Sequence, residues 1–107
     1  MKTVGTLKAA FKLIEAPESW CQGVSARDAE GRAMLSSNPK ATRFCLIGAI
    51  CKAGEGSEPR IKAIGVIAKI FGIPFEEVVC FNDTHTHAEV LNLLQRAIKF
   101  AEEETLS

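Results

Sequence analysis

The chain has 107 residues, room for a single domain spanning 1–107, and 47% of them are apolar, enough to bury a core without disulfide staples. Thirteen basic side chains balance thirteen acidic ones, which argues against a general nucleic-acid binder, because phosphate contacts need a basic surplus. The longest charge-free run near the middle, Phe44 to Cys51, is eight residues, far short of the ~20 that span a bilayer. Lys8 and Lys12 interrupt any apolar stretch after Lys2, so no secretory signal and no membrane association are expected, and the expected location is the cytoplasm.

In chain order, Leu7, Ala10, Phe11 and Ile14 share one helical face, predicting an amphipathic helix over Thr3–Ala16 that ends at Pro17. Residues 17–38 lack a helical period. Asp28-Ala29-Glu30-Gly31 has the residues of a type I turn, and Val24–Arg27 and Arg32–Leu35 on either side can pair as a short hairpin. Asn38-Pro39 opens a second helix, running to about Ala53 and stopped by Gly54. Its middle is apolar on every face, which marks it as the central element. Gly48 within it costs about 1 kcal/mol of helix propensity relative to Ala, and a close helix–helix approach there would compensate. After a loop at Gly54–Gly56, Ser57 caps a third helix with a stripe of Ile61, Ile64, Ile67, Ala68 and Phe71, ended by Gly72. Ile73-Pro74 opens a short helix from Phe75 to about Val79, with a strand at Val78-Val79 as the alternative. Asn82-Asp83-Thr84 reads as a turn. Thr86 and Glu89 form a capping box for a last helix over His87–Glu103, with fraying expected at Glu102–Glu104. The fold expected is therefore mainly α: a compact bundle of four principal helices and a short one, with a small β-hairpin between the first two helices.

Four cysteines, Cys21, Cys45, Cys51 and Cys80, are expected as free thiols in a reducing compartment. Residues 1–52 hold eight basic and four acidic side chains, a net +4, and residues 53–107 hold five and nine, a net −4. If it persists in space, that asymmetry suits self-association or an oppositely charged protein partner. Extra apolar residues such as Leu93 and Phe100 are compatible with a homodimer.

Three pieces of the chain carry a resemblance: Trp20-Cys21-Gln22-Gly23 followed by Ala26-Arg27-Asp28-Ala29-x-Gly31; Arg43-Phe44-Cys45-Leu46-Ile47-Gly48-Ala49; and Phe81-Asn82-Asp83 before a helix opening on Thr86. Together they resemble, from about Leu7 to Ala101, a family of small bacterial and phage proteins of unknown function. Phe81 departs from that family, which more often carries Trp there. The resemblance supports the element boundaries and implies no activity.

Chemistry could reside in four places. Trp20, Cys21, Gln22, Arg27 and Asp28 sit on a polar, aromatic loop of the kind that binds partners. In that reading Trp20 is an apolar platform, Gln22 and Arg27 donate and Asp28 accepts. The structural alternative has Trp20 plugging a gap, Arg27 pairing with Asp28 or an acidic helix, and Asp28 making the turn. Asn82 and Asp83 either stabilise a local turn or converge with the Trp20 loop on a pocket. Cys21 would be a nucleophile only with His85 or His87 as base and Asn82 or Asp83 as orienter. Cys80, His85 and His87 would hold zinc only with a fourth ligand brought by folding. The expectation is a small non-enzymatic intracellular protein without metal or cofactor that acts by binding a macromolecular partner, expected to be a protein, as a phage accessory, inhibitor or immunity-type protein does. A small enzyme or ligand-binding domain is the alternative, and a zinc-stabilised module the third reading.

Overall fold

The computed structural model describes residues 3–54 and 57–106. Its elements are α1 (Thr3–Ile14), a 3₁₀ turn (Pro17–Ser19), β1 (Ala26–Arg27), β2 (Ala33–Met34), β3 (Arg43–Phe44), α2 (Leu46–Ala53), α3 (Ser57–Phe71), α4 (Phe75–Thr84) and α5 (His87–Leu106). The fold is mainly helical, with five helices and a three-stranded antiparallel sheet of order β2-β1-β3 between α1 and α2. The expected Gly54–Gly56 loop and Ser57 cap involve Glu55, Gly56 and the Ser57 side chain, which lie outside the described residues.

The core follows the periodicity of the helices. Leu7, Ala10 and Ile14 of α1 are fully buried against α2 and α5, where Leu46, Ala49, Ile50, Leu94 and Ala97 are equally buried. Ala63, Ile64 and Ile67 line the inner face of α3, whereas Ile61, expected in that stripe, turns outward and is 57% exposed while Ala63 takes the inner position. Burying each large aliphatic side chain contributes about 1.5–3 kcal/mol. Leu93, counted above toward a dimer face, is 2% exposed and belongs to this core, and Phe100 is half-buried with the Lys69 ammonium 5.7 Å from its ring centre. Leu93 is therefore internal packing, while Phe100 keeps part of its ring at the surface.

The second helix is half as long as its apolar pattern predicts. Asn38 does not cap it. Instead the Lys40 N–H donates to Asn38 Oδ1 (2.9 Å) and the Ala41 N–H to the Asn38 carbonyl (3.0 Å), a turn with Pro39 in the position that suits its fixed φ. The chain then extends: Thr42 N–H donates to the Arg27 carbonyl, and Arg43–Phe44 pairs with β1 as a third strand. The N-cap is Cys45, whose Sγ accepts the Gly48 N–H at 3.2 Å. Gly48 has a different reason from the helix–helix approach expected of it. A Cβ there would overlap the Ser25 carbonyl oxygen and lie 2.9 Å from its carbon, so glycine lets the strand entry cross the helix.

The hairpin forms in shorter register, Ala26 opposite Met34 and Arg27 opposite Ala33. Its turn is as expected: Gly31 N–H donates to the Asp28 carbonyl at 3.0 Å, and Gly31 takes φ +85°, a left-handed position that glycine fills without strain. α1 ends at Ile14, two residues before the expected Ala16. α4 continues five residues beyond the expected Val79, so Asn82-Asp83-Thr84 is its last turn and not a free one. The capping box stands: Thr86 N–H donates to Glu89 Oε1 (2.9 Å) and Glu89 N–H to Thr86 Oγ1 (3.2 Å). α5 runs on to Leu106, past Glu103, and Lys8 pairs with Glu102 at 3.1 Å.

Candidate functional site

The Trp20 loop and the end of α4, about 60 residues apart in sequence, meet in space. Their junction is the Asn82 side chain, 1% exposed. Its Oδ1 accepts the Trp20 indole N–H (2.6 Å) and the Leu46 backbone N–H (2.9 Å), and its Nδ2 donates to the Cys21 carbonyl (2.9 Å) and to Asp83 Oδ1 (3.3 Å). Only this amide orientation sets every donor against an acceptor. One side chain thus ties the loop, the start of α2 and the end of α4 together.

The neighbours reinforce it. Gln22 Nε2 donates to the carbonyls of Asn82 (2.9 Å) and His85 (3.0 Å), satisfying acceptors that the end of a helix leaves unpaired. Asp83 Oδ1 accepts the Gly23 N–H at 2.8 Å, and Gly23 sits at φ +85°. These long-range bonds explain why α4 outlasts its sequence signals. Trp20 is half-buried, its ring centre 5.3 Å from that of His87 and its backbone bridged in parallel to Phe44.

Both histidines face carbonyls, so the bonding nitrogen carries the proton. His85 Nδ1 donates to the Phe81 carbonyl at 2.9 Å, with its ring stacked 3.6 Å from that of Phe81. His87 Nε2 donates to the Ile14 carbonyl at 2.6 Å, closing the end of α1. Cys21 is 7% exposed, with its Sγ directed at the Val24 carbonyl (3.8 Å). Burial, reinforced by the nearby Cys45, pushes its thiol pKa up, the opposite of what a nucleophile needs. Burial likewise raises that of Cys45. Cys80 is exposed. Among the described residues no three His, Cys, Asp or Glu side chains gather into a metal-ligand group, so Cys80, His85 and His87 do not converge as the zinc reading requires.

Arg27 and Asp28 belong to the hairpin. Arg27 donates to the carbonyls of Gly31 (2.9 Å) and Gln22 (3.4 Å), bracing the turn and reaching back to the loop. Asp28, 3% exposed, accepts the N–H groups of Glu30 (3.0 Å) and Arg32 (2.9 Å) and pairs with the Arg32 guanidinium at 2.8 Å. These bonds, led by the Arg32 N–H, hold its carboxyl below the ordinary range. Its cationic partner is Arg32, not Arg27, which sequence reasoning missed although the hairpin turn brings residues 28 and 32 together. The roles of His87, of the Leu46 N–H and of Cys45 were also missed, because each depends on a contact set by tertiary packing.

Within the described residues no buried side-chain nitrogen or oxygen lacks a partner, and no helix is long and apolar enough to cross a membrane. What fold and junction define is a small helical protein with a polar clamp closing a loop onto a helix end. The chain belongs to a family of unknown function (DUF6197), which matches it over residues 1–100. No curated protein and no solved structure matches it.

Proposed function

We propose that this is a non-enzymatic intracellular protein that acts by binding another protein, as a phage accessory, inhibitor or immunity-type factor does. The observation that supports this reading is the saturation of the clamp. Trp20, Gln22, Asn82, Asp83, His85 and His87 spend hydrogen-bonding groups on one another or on backbone, and Cys21 is buried with a raised pKa. Groups held this way build a rigid scaffold and leave no activated nucleophile with a base beside it. The clamp ties the Trp20 loop that leads into the sheet, and just after β2 Leu35 is 73% exposed. A large apolar side chain displayed on an ordered loop suits the anchor of a protein interface.

The test is in-cell cross-linking from the native host with wild type, Leu35→Glu and, as control, Ile61→Glu on the exposed side of α3. The expected result is a discrete cross-linked species lost with Leu35→Glu and kept with Ile61→Glu. The same species with all three chains would refute the assignment of this face. Turnover of a substrate dependent on Cys21 would refute the non-enzymatic reading.

A further inference from the structure

Beside the clamp, α3, α4 and α5 border a cleft of about 140 Å³, open to solvent and lined by Phe71, Phe81, Glu89, Asn92, Leu93 and Arg96. We propose that it binds a small planar monocarboxylate, an aromatic acid of a single ring. This site is independent of the protein-binding reading above.

Size, walls and rim each narrow the ligand. An apolar cavity of about 150 Å³ takes one benzene ring, whereas pockets for cofactors and larger ligands begin near ~300 Å³. The walls are aromatic and aliphatic. The Phe71 and Phe81 ring centres lie 6.5 Å apart at 45°, and Leu93 is buried at 2% exposure. Phe81 is kept in place by the His85 ring stacked on it at 3.6 Å. Arg96 covers one face of Phe71 and His85 one face of Phe81, so a bound ring would meet the edges and free faces of the pair, a favoured geometry for aromatic contacts.

The rim supplies the polarity. Glu89, Asn92 and Arg96 follow at i, i+3 and i+7 along α5, one face of the helix. Arg96 lies over Phe71 at 5.0 Å from the ring centre, and among the described residues it makes no ion pair. A guanidinium resting on a ring keeps the N–H donors of its edge available for a carboxylate. The Asn92 side chain is exposed and donates to no protein group among the described residues. Glu89 sets the charge limit. Its carboxylate accepts the Thr86 N–H at 2.9 Å, which lowers its pKa and keeps it ionised. A fixed negative charge on the same rim, two turns of α5 before Arg96, disfavours a second carboxylate on the ligand.

The test is an amide-correlation NMR titration of the full chain with benzoate, benzamide and phthalate, repeated with Arg96→Gln. The expected result is saturable benzoate binding, with Kd in the ~millimolar range that a ligand of this size reaches, and shifts centred on Phe71, Phe81, Asn92 and Arg96. Benzamide and phthalate should bind about tenfold more weakly, and Arg96→Gln should cost benzoate about tenfold, the loss expected of one charge-assisted hydrogen bond. Absence of saturable shifts, shifts centred elsewhere, or equal binding of benzoate and benzamide to wild type would overturn the proposal. The benzamide comparison uses the unaltered protein, so its outcome does not depend on how the variant folds.

Discussion

The helical core and the Trp20–Asn82 clamp hold the same chain together by different means. In the core, Leu7, Ile50, Leu94 and their neighbours are fully buried by many weak contacts, and no single pair is indispensable. In the clamp, one amide makes four hydrogen bonds that join its own helix end to two other segments, the Trp20 loop and the start of α2. A core of the first kind tolerates volume-conserving exchange. A hub of the second kind does not, because losing it strands buried donors and acceptors at once.

Five substitutions sharpen this contrast, from the largest expected effect to the smallest. Asn82→Ala leaves the Leu46 N–H and the Cys21 carbonyl without their partner and should cost about 3 kcal/mol in urea unfolding. Asn82→Asp should be no rescue, since it sets a carboxylate against the Cys21 carbonyl and Asp83. Gly48→Ala should cost about 2 kcal/mol despite its better helix propensity, because the strand entry at Ser25 has to move. Thr86→Ala should cost about 1 kcal/mol, the usual loss of an N-cap. Leu35→Ser, at an exposed position outside both regions, should stay within about 0.5 kcal/mol of wild type. An Asn82→Ala no more harmful than Thr86→Ala would erase the distinction between hub and ordinary polar contact.

Acid tests the hairpin end of the same polar network. The Asp28 pKa is depressed in the folded state by the Arg32 contacts. Its contribution is therefore present above the unfolded value near ~4 and is lost as pH falls through the lower folded value. Melting temperatures at pH 6 and pH 3 should differ more for wild type than for Asp28→Asn. Thiol labelling separates the cysteines on the same logic: Cys80 should react with iodoacetamide in the native state well before Cys21 and Cys45, and equal rates would mean that the loop opens readily.

The same contrast explains what the sequence makes legible. The buried faces of α1 and α5 and, apart from the exposed Ile61, that of α3 can be read because periodicity reports burial directly, and the Thr86–Glu89 box because both partners lie within one turn. The hairpin turn is legible for the same local reason. The start of α2 is not, because an apolar run from Phe44 to Cys51 carries no period that separates a buried strand from a buried helix. The full length of α4 is hidden because its end is held by Gln22 and Gly23, which no local pattern around Asn82 reveals. Of the candidate site, the residue types are recognisable and their meeting is not. Whether Asn82 bonds its own turn or a loop about 60 residues away is decided by packing that neither segment encodes alone.

Hydrogen exchange of wild type and Asn82→Ala, followed at the Trp20 indole N–H and at the Leu46 and Gly23 amides, tests the hub most directly. All three should be protected in wild type and should exchange faster in Asn82→Ala by a larger factor than the Leu94 and Ala97 amides of α5. Solvent-like exchange of the Trp20 indole and the Leu46 amide in wild type, or uniform acceleration across both regions in the variant, would contradict it.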